Sequence, residues 1–134
     1  MVEDRLSDGA RIAQLLASEI ESGVGLPPLA VAEARPDVEP TVDGAFAYAV
    51  VRREAGVSSD PDPDERVAEV YVQPDRARLE LLVGQAEAAE AATESGLRVR
   101  PKAVRPPRTL VFVEDGAQVK WVLPALAAAA ESTE

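Results

Sequence analysis

The sequence predicts an α+β fold, a mostly antiparallel sheet of about five to six strands with helices near the N-terminus, in the middle and at the C-terminus packed on it. Three observations carry that expectation. Segments with helical periodicity open, divide and close the chain. Short β-branched or apolar runs bounded by Pro, Gly and Asp cluster between them rather than alternating with them. The length, 134 residues, suits residues 1–134 to a single domain able to bury a core without covalent staples.

The elements follow in order. Over residues 7–22, SDGARIAQLLASEIES, Ile12, Leu15, Leu16 and Ile20 recur on one helical face, Ser7 or Asp8 can cap the start, and Gly23 follows the end. Leu29–Arg35 reads as a strand stopped by Pro36. Asp43-Gly44 turns into a strand over Ala45–Arg53, with Phe46, Tyr48 and Val50 expected on one face and Ala45, Ala47 and Ala49 on the other. Residues 55–65, AGVSSDPDPDE, read as a loop because Pro61 and Pro63 cannot join a ladder. Val67–Val72 and Ala77–Val83 form the clearest hairpin, turning at Gln73-Pro74-Asp75-Arg76.

Gln85–Ser95 is an Ala-rich helix with Glu87, Glu90 and Glu94 on one face and Gly96 as its stop. Leu97–Val104 is a basic strand interrupted by Pro101, and the uninterrupted run Thr109–Val113 is expected at the centre of the sheet. The last segment supports two readings. Asp115-Gly116 is a good hairpin turn; Asp115 with Gln118 also resembles a capping box, with Val119, Val122, Leu123 and Leu126 as a helical stripe. On the helical reading Pro124 kinks it, and Trp121, about 200° round from Val119, falls off the apolar stripe.

Composition limits the chemistry. The chain contains neither Cys nor His, so thiolate chemistry, disulfides and imidazole acid–base or zinc sites are excluded. No serine sits on a strand-to-helix elbow, and no glycines show phosphate-loop spacing. The run Asp60-Pro-Asp62-Pro-Asp64-Glu65 imitates the start of a calcium loop but has Glu65 where glycine is required and Tyr71 where the closing glutamate belongs. No catalytic residue, metal ligand or cofactor is therefore assigned. A magnesium enzyme built on carboxylates alone is the weakest of the function classes considered.

Net charge is −10, with twelve Arg against two Lys. Acidity with scarce Lys suggests a salt-rich cytoplasm, where carboxylates keep the surface hydrated and their repulsion is screened; an acidic mesophile domain from a GC-rich genome is the alternative. The N-terminus has neither the basic region nor the apolar core of a signal peptide, and no apolar run is long enough to span a bilayer. The expected location is the cytoplasm, without a membrane partner.

Against that acidity, "RVRPKAVRPPRTLVFV" places Arg98, Arg100, Lys102, Arg105 and Arg108 within eleven residues, with no carboxylate between Ser95 and Val113. In an extended chain Arg98, Arg100 and Lys102 share a face. They can pair with Glu69 or Glu80 across strands, protect a sheet edge, dock a protein, or bind phosphate. Nucleic acid is disfavoured because no aromatic interleaves between Leu97 and Arg108. In molar salt, five phosphate contacts would also lose about 10⁶ in affinity over a roughly twenty-fold rise in salt. Trp121, the only tryptophan, is the other candidate contact.

The stretches "RVRPKAVRPPRTLVFVEDGAQVKWVLPAL" and "MVEDRLSDGARIAQLLASE" give the chain a resemblance to a family of small acidic haloarchaeal proteins of unknown function. The resemblance covers nearly the whole chain and implies a cytoplasmic protein of a halophile; it assigns no residue a role. The leading expectation is a small non-enzymatic interaction or accessory protein. Its partner is another protein or a second copy of itself, joined through a sheet edge or the Trp121 surface. A nucleic-acid- or ribonucleoprotein-associated factor using residues 98–108 is the alternative.

Overall fold

A computed structural model describes residues 8–22, 29–35, 37–52, 66–104 and 107–131. The loop reading of 55–65, the acidic run within it and Arg105 lie outside the described residues. The architecture is α+β, a six-stranded antiparallel sheet with helices at the N-terminus, middle and C-terminus. The elements are α1 (Gly9–Ser22), β1 (Leu29–Ala32), β2 (Ala45–Arg52), β3 (Arg66–Gln73), β4 (Arg76–Leu81), α2 (Gln85–Glu94), β5 (Arg98–Lys102), β6 (Arg108–Val113), α3 (Gln118–Trp121) and α4 (Leu123–Glu131). Strand order is β1-β2-β3-β4-β6-β5.

Helix α1 starts where Asp8 Oδ1 accepts from the Arg11 backbone N–H at 3.2 Å, the capping role expected of a short acidic side chain. Its buried face, Ile12, Ala13, Leu16 and Ile20, lies on the sheet, and the Tyr48 hydroxyl donates to the Ala13 carbonyl at 2.7 Å. The N-terminal turn abuts the β3–β4 hairpin, where the Gly9 N–H reaches the Pro74 carbonyl at 3.3 Å. Helix α2 packs against α4 and buries Ala88 and Ala92, small side chains that let the two backbones come close. It ends in a Schellman motif: Leu97 N–H to Ala92 C=O and Gly96 N–H to Thr93 C=O, each 3.0 Å, with Gly96 at φ 91°.

The C-terminal segment is helical and interrupted. Asp115 Oδ1 accepts from Gln118 N at 3.0 Å, while Gln118 Oε1 reaches back to Glu114 N at 2.7 Å, a capping box displaced by one residue. The break falls at Val122, and Pro124 occupies the first turn of α4, where a missing N–H costs no helical bond.

The structure differs from the sequence expectations at three strands. β1 ends at Ala32 rather than Arg35 because Glu33 takes a left-handed φ of 55°; the ladder resumes beyond it, Arg35 N donating to Ala47 O at 2.8 Å. The extra residue is a bulge. In β2 the register shifts between Phe46 and Tyr48 and again between Val50 and Val51. Tyr48 and Val50 therefore join the helix-side core together with Ala47, while Phe46 turns to the opposite face with Ala49 and Val51. Strict alternation does not survive an inserted residue. Finally, β6 is flanked on both sides, as an apolar strand should be, but it is the penultimate strand; β3 and β4 are central.

The main core fills the space between the helices and one sheet face, built mostly from Val, Leu, Ile and Ala. The second sheet face is different in chemistry. It is apolar over β1 and β2 and ionic over β3–β6.

Candidate functional site

Cross-strand register aligns side chains from six segments on this second face. One row runs Phe46, Tyr71, Arg78, Phe112, Arg98, each opposite the next. Arg35 extends it, its guanidinium 5.4 Å from the Phe46 ring centroid. Phe46 meets Tyr71 edge-on at 5.7 Å, and Arg78 lies 4.9 Å over Tyr71. The ring pair Phe46–Tyr71 is thus flanked by Arg35 on one side and Arg78 on the other, an order that suits the negative face of each ring. The adjacent row is Ala49, Glu69, Glu80, Leu110, Arg100.

That second row sets two carboxylates directly opposite each other, which is unfavourable without cations. Arg108 supplies the bridge: its Nη1 is 2.9 Å from Glu69 Oε1 and 2.8 Å from Glu80 Oε1. Glu80 has no accessible surface and also receives Arg78 Nη2 at 2.9 Å and Lys102 Nζ at 3.1 Å. Glu69 accepts from Tyr71 Oη at 2.7 Å and Arg66 Nη1 at 2.6 Å, and Arg66 in turn meets Glu33 across the bulge. Burial by itself would raise both carboxyls. The hydrogen bonds from Tyr71, Arg108 and Arg66 hold Glu69 below the ordinary carboxylate range, and Arg108 and Lys102 do the same for Glu80. Both glutamates stay charged at neutral pH, and the cluster is an ion network.

The basic stretch therefore divides. Lys102 and Arg108 are committed to Glu80 and Glu69. Arg98, expected to reach those same glutamates, instead sits 3.3 Å from Glu114, which Arg76 also engages at 3.1 Å; its side chain keeps 66% of its surface exposed. Arg100 is exposed and makes no ion pair within the described residues. β5 is an edge strand, and Pro101 removes one N–H from it, which blunts it against added strands.

Sequence reasoning missed the aromatic component. Phe112 lies opposite Arg98 and Leu110 opposite Arg100, and both apolar side chains are half-buried. The signal was present as the alternation of Thr109–Val113, but the partner strand had to be known. Trp121 is 45% exposed and belongs to the helix layer, beside Gly96. The two surfaces singled out in the sequence thus belong to different layers of the molecule.

Among the described residues no group of carboxylates converges as a metal site, and no helix is long and apolar enough to cross a membrane. Comparison with curated proteins and with solved structures returns no match for this chain. A protein family matches over residues 1–134, and the chain belongs to it: the family of unknown function DUF7993.

Proposed function

We propose that this protein is a non-enzymatic interaction or accessory protein of a salt-rich cytoplasm, which docks an acidic protein segment on the sheet face formed by β5 and β6. One observation carries the reading: Arg98 and Arg100 stand exposed beside half-buried Phe112 and Leu110 in a chain of net charge −10. Exposed arginine around an apolar centre is the composition of a protein contact. Most other cations of this face are already neutralised by Glu33, Glu69 and Glu80, so the charge left for a partner is small and localised. Self-association by strand addition is disfavoured at both edges, by Pro101 in β5 and by the bulge after β1. A homodimer, if formed, uses the Trp121 surface.

A single-stranded nucleic acid is the second reading, favoured by the row in which Phe112 and Tyr71 alternate with arginines. The two accessible cations of β5, with Arg35 alone at the far end of the row, supply a weak counterion term, and that argues for protein.

The test is affinity purification from the native high-salt lysate with the wild type, Arg98→Glu/Arg100→Glu and Trp121→Ala, quantifying protein and nucleic acid in each eluate. A defined acidic protein recovered by the wild type and Trp121→Ala, and lost from the double variant, is expected. Equal recovery by all three would refute docking at β5, and nuclease-sensitive RNA or DNA in its place would favour the second reading.

A further inference from the structure

At the opposite end of the sheet, the Glu33 bulge delivers Arg35 to a position between two adjoining cavities. One, about 200 Å³, lies between α1 and the strands and is lined chiefly by Ala13, Ala17, Val31, Val38, Ala47 and Tyr48, with Gln14, Glu21 and Arg35 as polar groups. The other, about 510 Å³ and more open, is lined by Arg35, Asp37, Val38, Ala45 and Phe46. Arg35 is exposed, lies over Phe46 and makes no ion pair within the described residues. A non-glycine residue held at positive φ is costly and is retained where the local geometry matters. Here its effect is to let the chain skip one position of the ladder and resume pairing at Arg35.

We infer that this notch binds a small apolar carboxylate, its head on the Arg35 guanidinium and its tail in the alanine- and valine-lined cavity. A dry cavity of about 150 Å³ accepts a benzene-sized group, so the smaller cavity has room for a branched chain or a single ring. Arg35 offers a planar fork already braced on Phe46, which lowers the ordering cost of a bidentate contact. The shared chemistry has two sources, a simple carboxylic acid or an amino acid whose ammonium is directed to Glu21.

The test is calorimetric titration of the full chain with 4-methylpentanoate, leucine and the neutral 4-methylpentanamide, repeated on Arg35→Gln and Ala17→Leu. Saturable binding of a carboxylate is expected, with the amide at least about tenfold weaker and each variant weakened about tenfold or more. Leucine tighter than 4-methylpentanoate assigns the amino acid; the reverse assigns the acid. No saturation by either carboxylate, equal binding of the amide, or unchanged binding by Arg35→Gln would overturn the assignment. Arg35 is exposed, so its variant is expected to fold and keeps the test decisive even if Ala17→Leu perturbs packing. Binding that survives Ala17→Leu in a folded protein would remove the tail from this cavity.

Discussion

Replacing Glu80 by Gln should be the most informative single change on the ionic face. The substitution keeps shape and removes the charge that faces Arg78, Lys102 and Arg108 at 2.8–3.1 Å. Removing one partner of a fully buried pair costs roughly 3–5 kcal/mol. Here the carboxylate is inaccessible, but its partners keep 13%, 38% and 26% of their side-chain surface, so solvent takes up part of the released charge. The cost should therefore be about 2–3 kcal/mol at pH 7, or a fall in Tm of roughly 10 °C for a chain of this size. The pH dependence has a definite sign. Glu80 is held below its ordinary value of 4.5 in the folded state, so its contribution is complete above the unfolded value and is lost as pH falls through the folded one. Urea melts of wild type and Glu80→Gln between pH 7 and pH 3 check this. The gap should be widest at neutrality, begin to close below about pH 4.5 and narrow steadily with acid. A variant as stable as wild type at pH 7, or a gap independent of pH, would refute the network as a source of stability.

Two further predictions concern backbone contacts. A Cβ at Gly9 would stand 1.9 Å from the Gln73 carbonyl oxygen and 2.5 Å from that of Arg76, so Gly9→Ala should lift α1 from the hairpin and cost at least about 2 kcal/mol in chemical denaturation. Gly44 and Gly96 both have φ near +90°, but only Gly44 is crowded, with Arg78 Nη2 at 2.8 Å against Trp121 Cζ3 at 3.9 Å for Gly96. Alanine should cost about 1 kcal/mol at Gly96 from backbone strain and measurably more at Gly44, where the Arg78 head must also leave the Asp43 carbonyl it holds at 3.0 Å; equal urea midpoints for the two variants would contradict this.

Local chemistry was enough to read most element types, though it left the segment after Asp115 open between a hairpin strand and the helices observed there. The stripe Ile12, Leu16, Ile20 repeats from one helical turn to the next, and the two-residue turn Pro74-Asp75 and Gly96 as a helix stop act between residues adjacent in the chain, where propensity and capping operate. The basic strand was legible as an edge for the same reason, since Pro101 cannot serve a central ladder. The absence of Cys and His, which needs no structure, had already removed most catalytic possibilities.

Register was not legible. Each β-bulge moves every later side chain of its strand to the other face, so Phe46 left the core that Tyr48 joined, and no composition rule marks where the extra residue falls. Register also decided which cations remain accessible. Arg98, Arg100, Lys102 and Arg108 look alike along the chain, yet pairing with β4 and β6 carries Lys102 and Arg108 onto Glu80 and leaves Arg98 and Arg100 beside Leu110 and Phe112. Arg35, Phe46, Tyr71, Arg78, Phe112 and Arg98 become one row only because strands far apart in the chain are neighbours in the sheet. Alternation along a strand is a property of a few residues, whereas a surface on a sheet is read across strands, and hydrogen-bonded pairing sets that order.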